Sequence, residues 1–284
     1  MQDGARRYGV ALATPIGLLY LLFLVAPISV FLAVSLFKYD PFELYKTTLT
    51  SENFIRLVAD SYYNAIILGT VRVAGLTTFF AFLLSYPLAY YLVRRAGAWR
   101  GVLIFLVVAP LTTGTIVRTY GWIVLFGAEG TINSILIGLG LIQKPLVILG
   151  TETAVIIALV HILMPYMVFP LFSALAAQDP NVEHAASTLG AGRTRIFFEV
   201  TLPLSRSGIL MGSVLVFTLA AGSIVTAQLI GGKDIQMMGP LLYELVMHTL
   251  NWPLGSAVAA LLVAMQFVIV LLYFRSGRRR HVSH

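Results

Sequence analysis

The chain carries one long polar segment between two apolar runs, and residues 181–209 read NVEHAASTLGAGRTRIFFEVTLPLSRSGI. Hydrophobic residues make up 58% of the 284 residues, whereas charged residues make up only 11%. A typical soluble domain has about 25% charged residues. The composition therefore predicts an integral membrane protein, in which this segment is a loop outside the bilayer.

Long apolar runs predict the architecture. A membrane-spanning helix needs about 20 predominantly apolar residues. Six runs meet this condition, at residues 10–37, 65–93, 101–126, 153–177, 207–232 and 249–274. The stretch TINSILIGLGLI at 131–142 is apolar but short and rich in glycine, so we expect it to lie along the surface or to dip in and return. The expected fold is an all-α, six-helix membrane domain that covers residues 1–284.

The basic residues predict how the chain is oriented. Six spans place both ends on one side, and that side holds Arg6, Arg7, Arg94, Arg95, Arg100, Arg193, Arg195, Arg206, Arg275, Arg278, Arg279 and Arg280. The opposite side holds Lys38, Lys46, Arg56, Lys144 and Lys233, together with most of the acidic residues. By the positive-inside rule, the termini and the polar segment are cytoplasmic. The first run is too long for a cleaved signal peptide, so we expect it to be retained.

The polar segment has the start and stop signals of a short helix. Asp179 can cap the first amides, and Pro180 suits the first helical position because its missing N–H is not needed there. Gly190 can adopt the left-handed conformation that ends many helices. These signals predict a helix over 180–189, whose Ala185 and Ala186 make a small-residue surface. A second helical piece is predicted over 193–200, ended by the proline of Leu202-Pro203.

The stretch HAASTLGAGRTRIFFEVTLP (184–203) resembles the cytoplasmic loop of binding-protein-dependent ABC importer permeases. The family pattern is Glu-Ala-Ala, three residues, Gly, nine residues, Ile, one residue and Leu-Pro. The residues that match this pattern are Ala185, Ala186, Gly190, Leu202 and Pro203. His184 stands where the family has Glu, Val200 stands where it has Ile, and Glu183 comes one residue early. These departures leave open which side chain makes the polar contact of the family Glu.

The resemblance implies a docking role for the loop 179–206. In this family the short helix sits in a groove of a cytoplasmic ATPase, so the residues implied in docking are Glu183, His184, Ala185, Ala186, Gly190, Leu202 and Pro203. The implied partners are a second permease, identical or homologous, an ATPase dimer that binds ATP and Mg, and a periplasmic or extracellular solute-binding protein. The chain itself is then expected to bind no cofactor, metal or nucleic acid.

Three shorter stretches are similar to spermidine/putrescine-type permeases: RTYGW at 118–122, LIGG at 229–232 and NWPLGSA at 251–257. Related permeases for other solutes share parts of these stretches. The acidic balance of the outer loops favours a cation such as a polyamine, whereas Arg118 opposes it if this side chain faces the path. Another small solute, such as an amino-acid derivative, a metal or an anion, remains the alternative.

Polar side chains in two runs are candidates for a substrate path. They are Thr112, Thr115, Arg118, Thr119, Tyr120 and Trp122 in the third run, and Ser223, Thr226 and Gln228 in the fifth. Bonds between helices explain such Ser and Thr residues equally well. For Arg72 and Arg118 we favour anchoring over substrate contact, and for His161 a structural role beside Pro165. Pro110 is expected to kink the third span, and Gly231-Gly232 to break the fifth.

The sequence lacks the motifs of two other function classes. It contains no Gly-x-x-x-x-Gly-Lys-Ser/Thr, His-Glu-x-x-His or Gly-x-Ser-x-Gly pattern and no cysteine, so neither nucleotide hydrolysis nor a membrane hydrolase is expected. A self-contained secondary transporter usually carries charges near the midplane of the membrane. No acidic residue lies firmly inside a predicted span, which makes this class the weaker alternative.

Overall fold

The computed structural model describes residues 2–232 and 235–278, so Lys233, Asp234, Arg279 and Arg280 of the charge pattern lie outside the described residues. The elements are α1 (Gln2–Val34), β1 (Phe37–Asp40), β2 (Leu44–Leu49), α2 (Glu52–Ala59), α3 (Ser61–Arg94), α4 (Arg100–Val108), α5 (Thr115–Phe126), α6 (Thr131–Gly138), α7 (Glu152–Ala176), α8 (Pro180–Thr188), α9 (Arg193–Ile196), α10 (Leu202–Leu204), α11 (Arg206–Ala221), α12 (Val225–Gly231), α13 (Met238–Met247) and α14 (Trp252–Arg278). Short 3₁₀ helices at Gly97–Trp99 and Ala109–Thr112 flank α4, and a π-helix at Phe197–Thr201 joins α9 to α10.

The mostly helical fold confirms the predicted class. Within the described residues, five helices are long and apolar enough to cross a membrane, and a sixth span is reached if the pair Arg193–Leu204 and Arg206–Ala221, bent by 64°, counts as one. α1 ends at Val34, because Phe37 already belongs to a β-hairpin. The hairpin, α2 and α13 were not predicted, since none of them is long enough to stand out by hydropathy.

The third predicted span, 101–126, is not one helix. α4 passes into the 3₁₀ helix at Ala109–Thr112, and the helical backbone stops at the extended residue Thr113. Pro110 therefore lies within a continuous turn, and the break follows it at Thr113 and Gly114. By length and composition the candidate span in this region is Thr115–Gly138, which takes in part of the stretch 131–142 that we expected outside the helix count.

The fifth predicted span, 207–232, breaks earlier than expected. α11 ends at Ala221, residues 223 and 224 are not helical, and α12 begins at Val225. The chain does leave helical structure at Gly232, which has φ +60°. Gly231-Gly232 is therefore the end of α12, while the break inside the span lies at the Gly-Ser pair 222–223. A small residue pair of this kind is a recognised cause of a helix break.

The loop helix begins at its predicted residue and ends at Thr188, one residue before the predicted bound. The Asp179 carboxylate accepts a hydrogen bond from the Asn181 amide at 2.9 Å, Pro180 begins α8, and Gly190 has φ +85°. The prediction that Pro203 ends the next piece is wrong, because helical structure continues to Leu204. The residues just before Pro203 form a π-helix, whose hydrogen bonds span five residues in place of four. This wider turn suits a proline, because the proline ring clashes with the carbonyl four residues earlier in an α-helix.

The internal contacts divide the chain into two units. The first comprises residues 1–64 and 241–263. In it, the buried side chain of Asn53 donates to the carbonyls of Ser35 and Phe37, at 2.8 and 2.9 Å, which fixes α2 to the hairpin. The Lys46 ammonium, 2.5 Å away, and two loop amides hold the pKa of Asp40 at about 2.

The second unit comprises residues 65–240 and 264–284, and α7 lies at its centre. α11 packs closely against α7 because its contact positions are glycines. A Cβ atom on Gly208 would lie 2.5 Å from the Pro170 carbonyl, and one on Gly212 would lie 2.6 Å from the Met167 sulfur. Small residues at such crossings let membrane helices approach each other closely. Every site described below lies within this unit.

Candidate functional site

A cleft with several hydroxyl groups lies between α5, α7 and the break that separates α11 from α12. Its volume is about 310 Å³, and we call it the hydroxyl cleft. The residues that line it are Thr115, Arg118, Leu159, Ile162, Leu163, Tyr166, Leu219, Gly222, Ser223, Ile224, Val225 and Thr226. Four predicted path residues thus come together: Thr115, Arg118, Ser223 and Thr226.

The break in the fifth span shapes this cleft. Within a membrane, non-helical backbone is tolerated only where it is buried in protein or lines a cavity, and residues 222–224 do line one. The hydroxyls of Thr119 and Thr226, both fully buried, lie 3.1 Å apart and join α5 to α12. Thr119 therefore bonds across to a neighbouring helix, which was the alternative explanation for a polar residue in this span.

Arg118 places a cation at the side of the hydroxyl cleft. Its Nη1 atom donates to the Ile162 carbonyl at 3.2 Å, which holds the side chain against the backbone of α7. Its Nε atom is buried and has no hydrogen-bond partner among the described residues. The guanidinium thus lines the cleft as a positive charge with one N–H that makes no hydrogen bond among the described residues.

The other predicted path residues do not line the hydroxyl cleft. The Thr112 hydroxyl donates to the Ala109 carbonyl at 2.7 Å, which completes the local turn. Tyr120 and Gln228 are exposed. Trp122 lies in a second cleft, on another face of α7. The candidate residues of the third run therefore do not share one site: some line the hydroxyl cleft, Trp122 lines another cleft and Thr112 bonds within its own turn.

The second cleft is larger and mostly apolar. Its volume is about 760 Å³, and we call it the apolar cleft. Its lining residues are Arg72, Leu76, Phe80, Leu84, Trp122, Glu152, Thr153, Ile156, Ile157, Val160, His161 and Met164. Trp122 donates its indole N–H to Nδ1 of His161 at 3.2 Å. This bond joins α5 to α7, while the structural role of His161 beside Pro165 stays a prediction.

Arg72 and Glu152 form an ion pair at one end of the apolar cleft. The Arg72 Nε atom donates to Oε1 of Glu152 at 2.7 Å, and its Nη2 atom pairs with Oε2. This two-point contact supports anchoring for Arg72. The sequence analysis did not select Glu152, because its partner lies 80 residues away and nothing near Glu152 signals a bond to α3.

The docking loop is tied to the rest of the unit through Glu183. Its Oε1 atom accepts hydrogen bonds from Nη2 of Arg94 at 3.0 Å and from the Thr201 hydroxyl at 3.1 Å. His184 and Ala185 are exposed, whereas Ala186 is half-buried. Leu202 and Pro203 lie in α10, directly after the π-helix. The side chain that turns inward is therefore Glu183, and the one at the family Glu position faces outward.

Known proteins match nearly the whole chain. The family described as "Binding-protein-dependent transport system inner membrane component" matches residues 4–282. The spermidine/putrescine transport system permease protein PotB of Haemophilus influenzae is 35% identical over 90% of this chain and 89% of its own length. PotB of Escherichia coli K12 is 32% identical over 90% and 93%, respectively.

The fold is similar to that of a solved transporter. A chain in the crystal structure of a bacterial alginate ABC transporter, in complex with an alginate pentasaccharide-bound periplasmic protein, superposes with a TM-score of 0.79 at 17% identity, covering 99% of this chain and 98% of that one. At this identity the likeness bears on the fold alone. The match over residues 4–282, the apolar helices and this fold together show a multi-pass inner-membrane protein that belongs to the family of binding-protein-dependent ABC importer permeases.

Proposed function

We propose that this chain is the permease subunit of an ATP-driven importer of a polyamine-like cation such as spermidine or putrescine. The similarity to the two PotB proteins over most of the chain supports this substrate class. The observation that carries the transport mechanism is α8, a capped helix with small exposed side chains. Its exposed face suits docking on a separate subunit, because small side chains let another backbone approach.

The proposed assembly contains this chain, a second permease, an ATPase dimer and a solute-binding protein. ATP and Mg are bound by the ATPase, since this sequence carries no phosphate-binding loop of its own. The chain then needs no cofactor and catalyses no reaction itself. The positive-inside pattern supports cytoplasmic termini and a cytoplasmic α8, on the side where an ATPase has access to ATP.

The coupling is mechanical and runs from α8 to the spans. When the ATPase dimer closes, it moves α8, and the segment Arg193–Leu204, which follows α8 after a short turn, passes the movement to α11 at the 64° bend. α11 leads directly to the break at 222–224, beside the hydroxyl cleft. ATP and the solute-binding protein thus bias one two-state element from its two ends.

A bulky residue on the exposed face of α8 tests this mechanism. Ala185→Trp is expected to prevent the ATPase from co-purifying and to abolish ATP hydrolysis stimulated by the solute-binding protein, because the indole fills the space that the ATPase occupies. Thr194→Trp is the matched control, since Thr194 is exposed in the same loop but lies outside α8. Normal assembly of Ala185→Trp, or equal loss in both variants, would contradict docking through α8.

Arg118 favours a second candidate, an importer of a small anion. A cation that lines the hydroxyl cleft attracts negative charge and repels a polyamine. The two candidates differ in the ligand of the solute-binding protein. We expect spermidine or putrescine to raise the melting temperature of that protein, and stabilisation by small anions in place of polyamines would favour the second candidate.

A further inference from the structure

Glu183 lies where three separate elements meet. It belongs to the first turn of α8, while Arg94 is the last residue of α3 and Thr201 is the last residue of the π-helix. One oxygen of the Glu183 carboxylate accepts from both partners, at 3.0 and 3.1 Å. A single carboxylate thus connects the docking helix, the end of a long spanning helix and the segment that leads to α11.

This connection is more enclosed than an ordinary loop ion pair. The side chains of Arg94 and Glu183 are 13% and 20% exposed, whereas those of Arg195 and Glu199 in the same loop are 69% and 60% exposed. Ion pairs between exposed groups contribute little, because water screens them. A partly buried carboxylate that accepts two hydrogen bonds holds its partners more firmly. The two pairs therefore differ in how much water screens them although they share the same chemistry.

Little else holds α8 against the unit. None of its residues is buried, and among the described residues Glu183 is the member of α8 whose side chain bonds to other elements. On the far side of the connection, α3 and the π-helix are joined by aromatic packing: the rings of Tyr86 and Phe197 lie 5.5 Å apart. The Tyr86 hydroxyl also lies 2.9 Å from the Ser205 hydroxyl, next to the start of α11.

We propose that Glu183 is a positioning residue that makes α8, the cytoplasmic end of α3 and the π-helix move as one body. The proposal rests on the proposed function, because it takes α8 as the element that the ATPase moves. Without Glu183, α8 follows the ATPase while the spans lag behind. The remaining connections are the chain at 177–179 and 189–192, the hydrogen bond from Gln178 to the Thr201 carbonyl, and the approach of α8 to α9 and the π-helix. ATP hydrolysis then continues with less solute imported.

Neighbouring residues divide two tasks in this arrangement. His184, at the position where the family pattern has Glu, is exposed and faces away from the unit, where the ATPase would dock. Glu183, one residue earlier, turns inward to Arg94 and Thr201. Adjacent side chains thus make the contact with the ATPase and the contact with the spanning helices. Substitutions at the two positions should therefore have different consequences.

The complete transporter in proteoliposomes provides the test, with radiolabelled spermidine as the probe. Import of spermidine and hydrolysis of ATP are measured together, along with co-purification of the ATPase. We expect Glu183→Gln to assemble and hydrolyse ATP normally but to import about tenfold less spermidine per ATP, a typical size for energetic coupling between two sites. The matched control Glu199→Gln removes the exposed pair and should leave this ratio unchanged.

Reversal of the charges separates coupling from folding. Arg94→Glu and Glu183→Arg should each lower the ratio, and the double variant should recover most of it, because the ion pair forms again in the opposite sense. An unchanged ratio in Glu183→Gln, or a double variant no better than the single ones, would overturn the proposal. Loss of the ATPase from Glu183→Gln would also overturn it, since the residue would then act in assembly.

A different result would overturn the proposed function: a wild-type chain that does not bind the ATPase at all. If the wild-type complex binds the ATPase but imports no spermidine, the polyamine assignment fails alone. Glu183→Gln is then tested with the solute that raises the melting temperature of the solute-binding protein. ATP hydrolysis should again stay normal while import of that solute per ATP falls, and a wild-type ratio in this variant would overturn the proposal.

Discussion

Two clefts, both described above, flank α7 and differ in what they can bind. α7 lines the hydroxyl cleft with Leu159, Ile162, Leu163 and Tyr166, and it lines the apolar cleft with Glu152, Thr153, Ile156, Ile157, Val160, His161 and Met164. Each set follows the three- and four-residue spacing of one helix face. α7 therefore separates a smaller cleft with hydroxyl groups from a larger cleft with an apolar wall.

The state of the arginine in each cleft shows which cleft suits a water-soluble solute. In the apolar cleft, the charge of Arg72 is paired with the carboxylate of Glu152 through Nε and Nη2. In the hydroxyl cleft, the Nε atom of Arg118 lacks a partner among the described residues, and Ser223 lies at a break in the helix. Binding sites need a few polar groups that are free to bond. The smaller cleft is thus the better candidate for the path, although the larger cleft has more than enough volume.

Filling each cleft in turn should give the largest difference. Ser223→Phe places a ring in the hydroxyl cleft, and we expect spermidine uptake into proteoliposomes to fall about tenfold, the effect of a barrier raised by about 1.4 kcal/mol, because the ring occupies the space that the solute would cross. Ile157→Phe is the matched control in the apolar cleft, where Ile157 is 40% exposed. Its uptake should remain close to that of the wild type.

Gel filtration of both variants shows whether they are folded before uptake is compared. The opposite pattern, with uptake lost in Ile157→Phe and retained in Ser223→Phe, would move the path to the apolar cleft. Equal losses in two well-folded variants would mean that the faces of α7 do not differ in the way proposed here.

Removing the charge of Arg118 should have a smaller effect, and its sign is informative. Arg118→Gln keeps a donor near the Ile162 carbonyl but removes a cation from the hydroxyl cleft. If a polyamine passes, uptake should rise about fivefold, because a repulsion between like charges of the order of 1 kcal/mol corresponds to about that factor in rate. A fall in spermidine uptake would contradict this expectation. If the wild type also imported a small anion better than Arg118→Gln does, the second candidate would be supported.

Local signals explain why the docking loop could be predicted from the sequence. The bounds of α8 follow from Asp179, Pro180 and Gly190, which act through their own backbone and nearest neighbours. The inward turn of Glu183 was not predictable in the same way, because its partner Arg94 lies 89 residues away. The sequence placed Glu183 in the docking set, and the structure adds its bonds to Arg94 and Thr201 of the same chain.

The breaks in the third and fifth spans were harder to predict. Pro110 was the obvious breaker of the third span, yet the 3₁₀ helix accommodates it and the chain opens at Thr113. In the fifth span the sequence predicted a break at Gly231-Gly232, whereas the helix opens at Gly222-Ser223, beside the hydroxyl cleft. Glycine tolerates both helix and loop. The packing around each glycine, which hydropathy does not report, therefore decides where the helix opens.

Breaking the ion pair of the apolar cleft should have the smallest effect. The Arg72 side chain is 68% exposed, so Arg72→Gln should lower the free energy of unfolding by less than about 1 kcal/mol. For a chain of this size that is a fall of about 2–4 °C or less in melting temperature. Glu152→Gln should have a similar effect, and the double variant should lose little more, because either change removes the same bond.

Spermidine uptake should stay near the wild-type value in all three, since the pair lies away from the hydroxyl cleft. If Arg72→Gln changed uptake more than Arg118→Gln, the roles of the two clefts would have to be exchanged, because the paired arginine would then be the one that the solute meets.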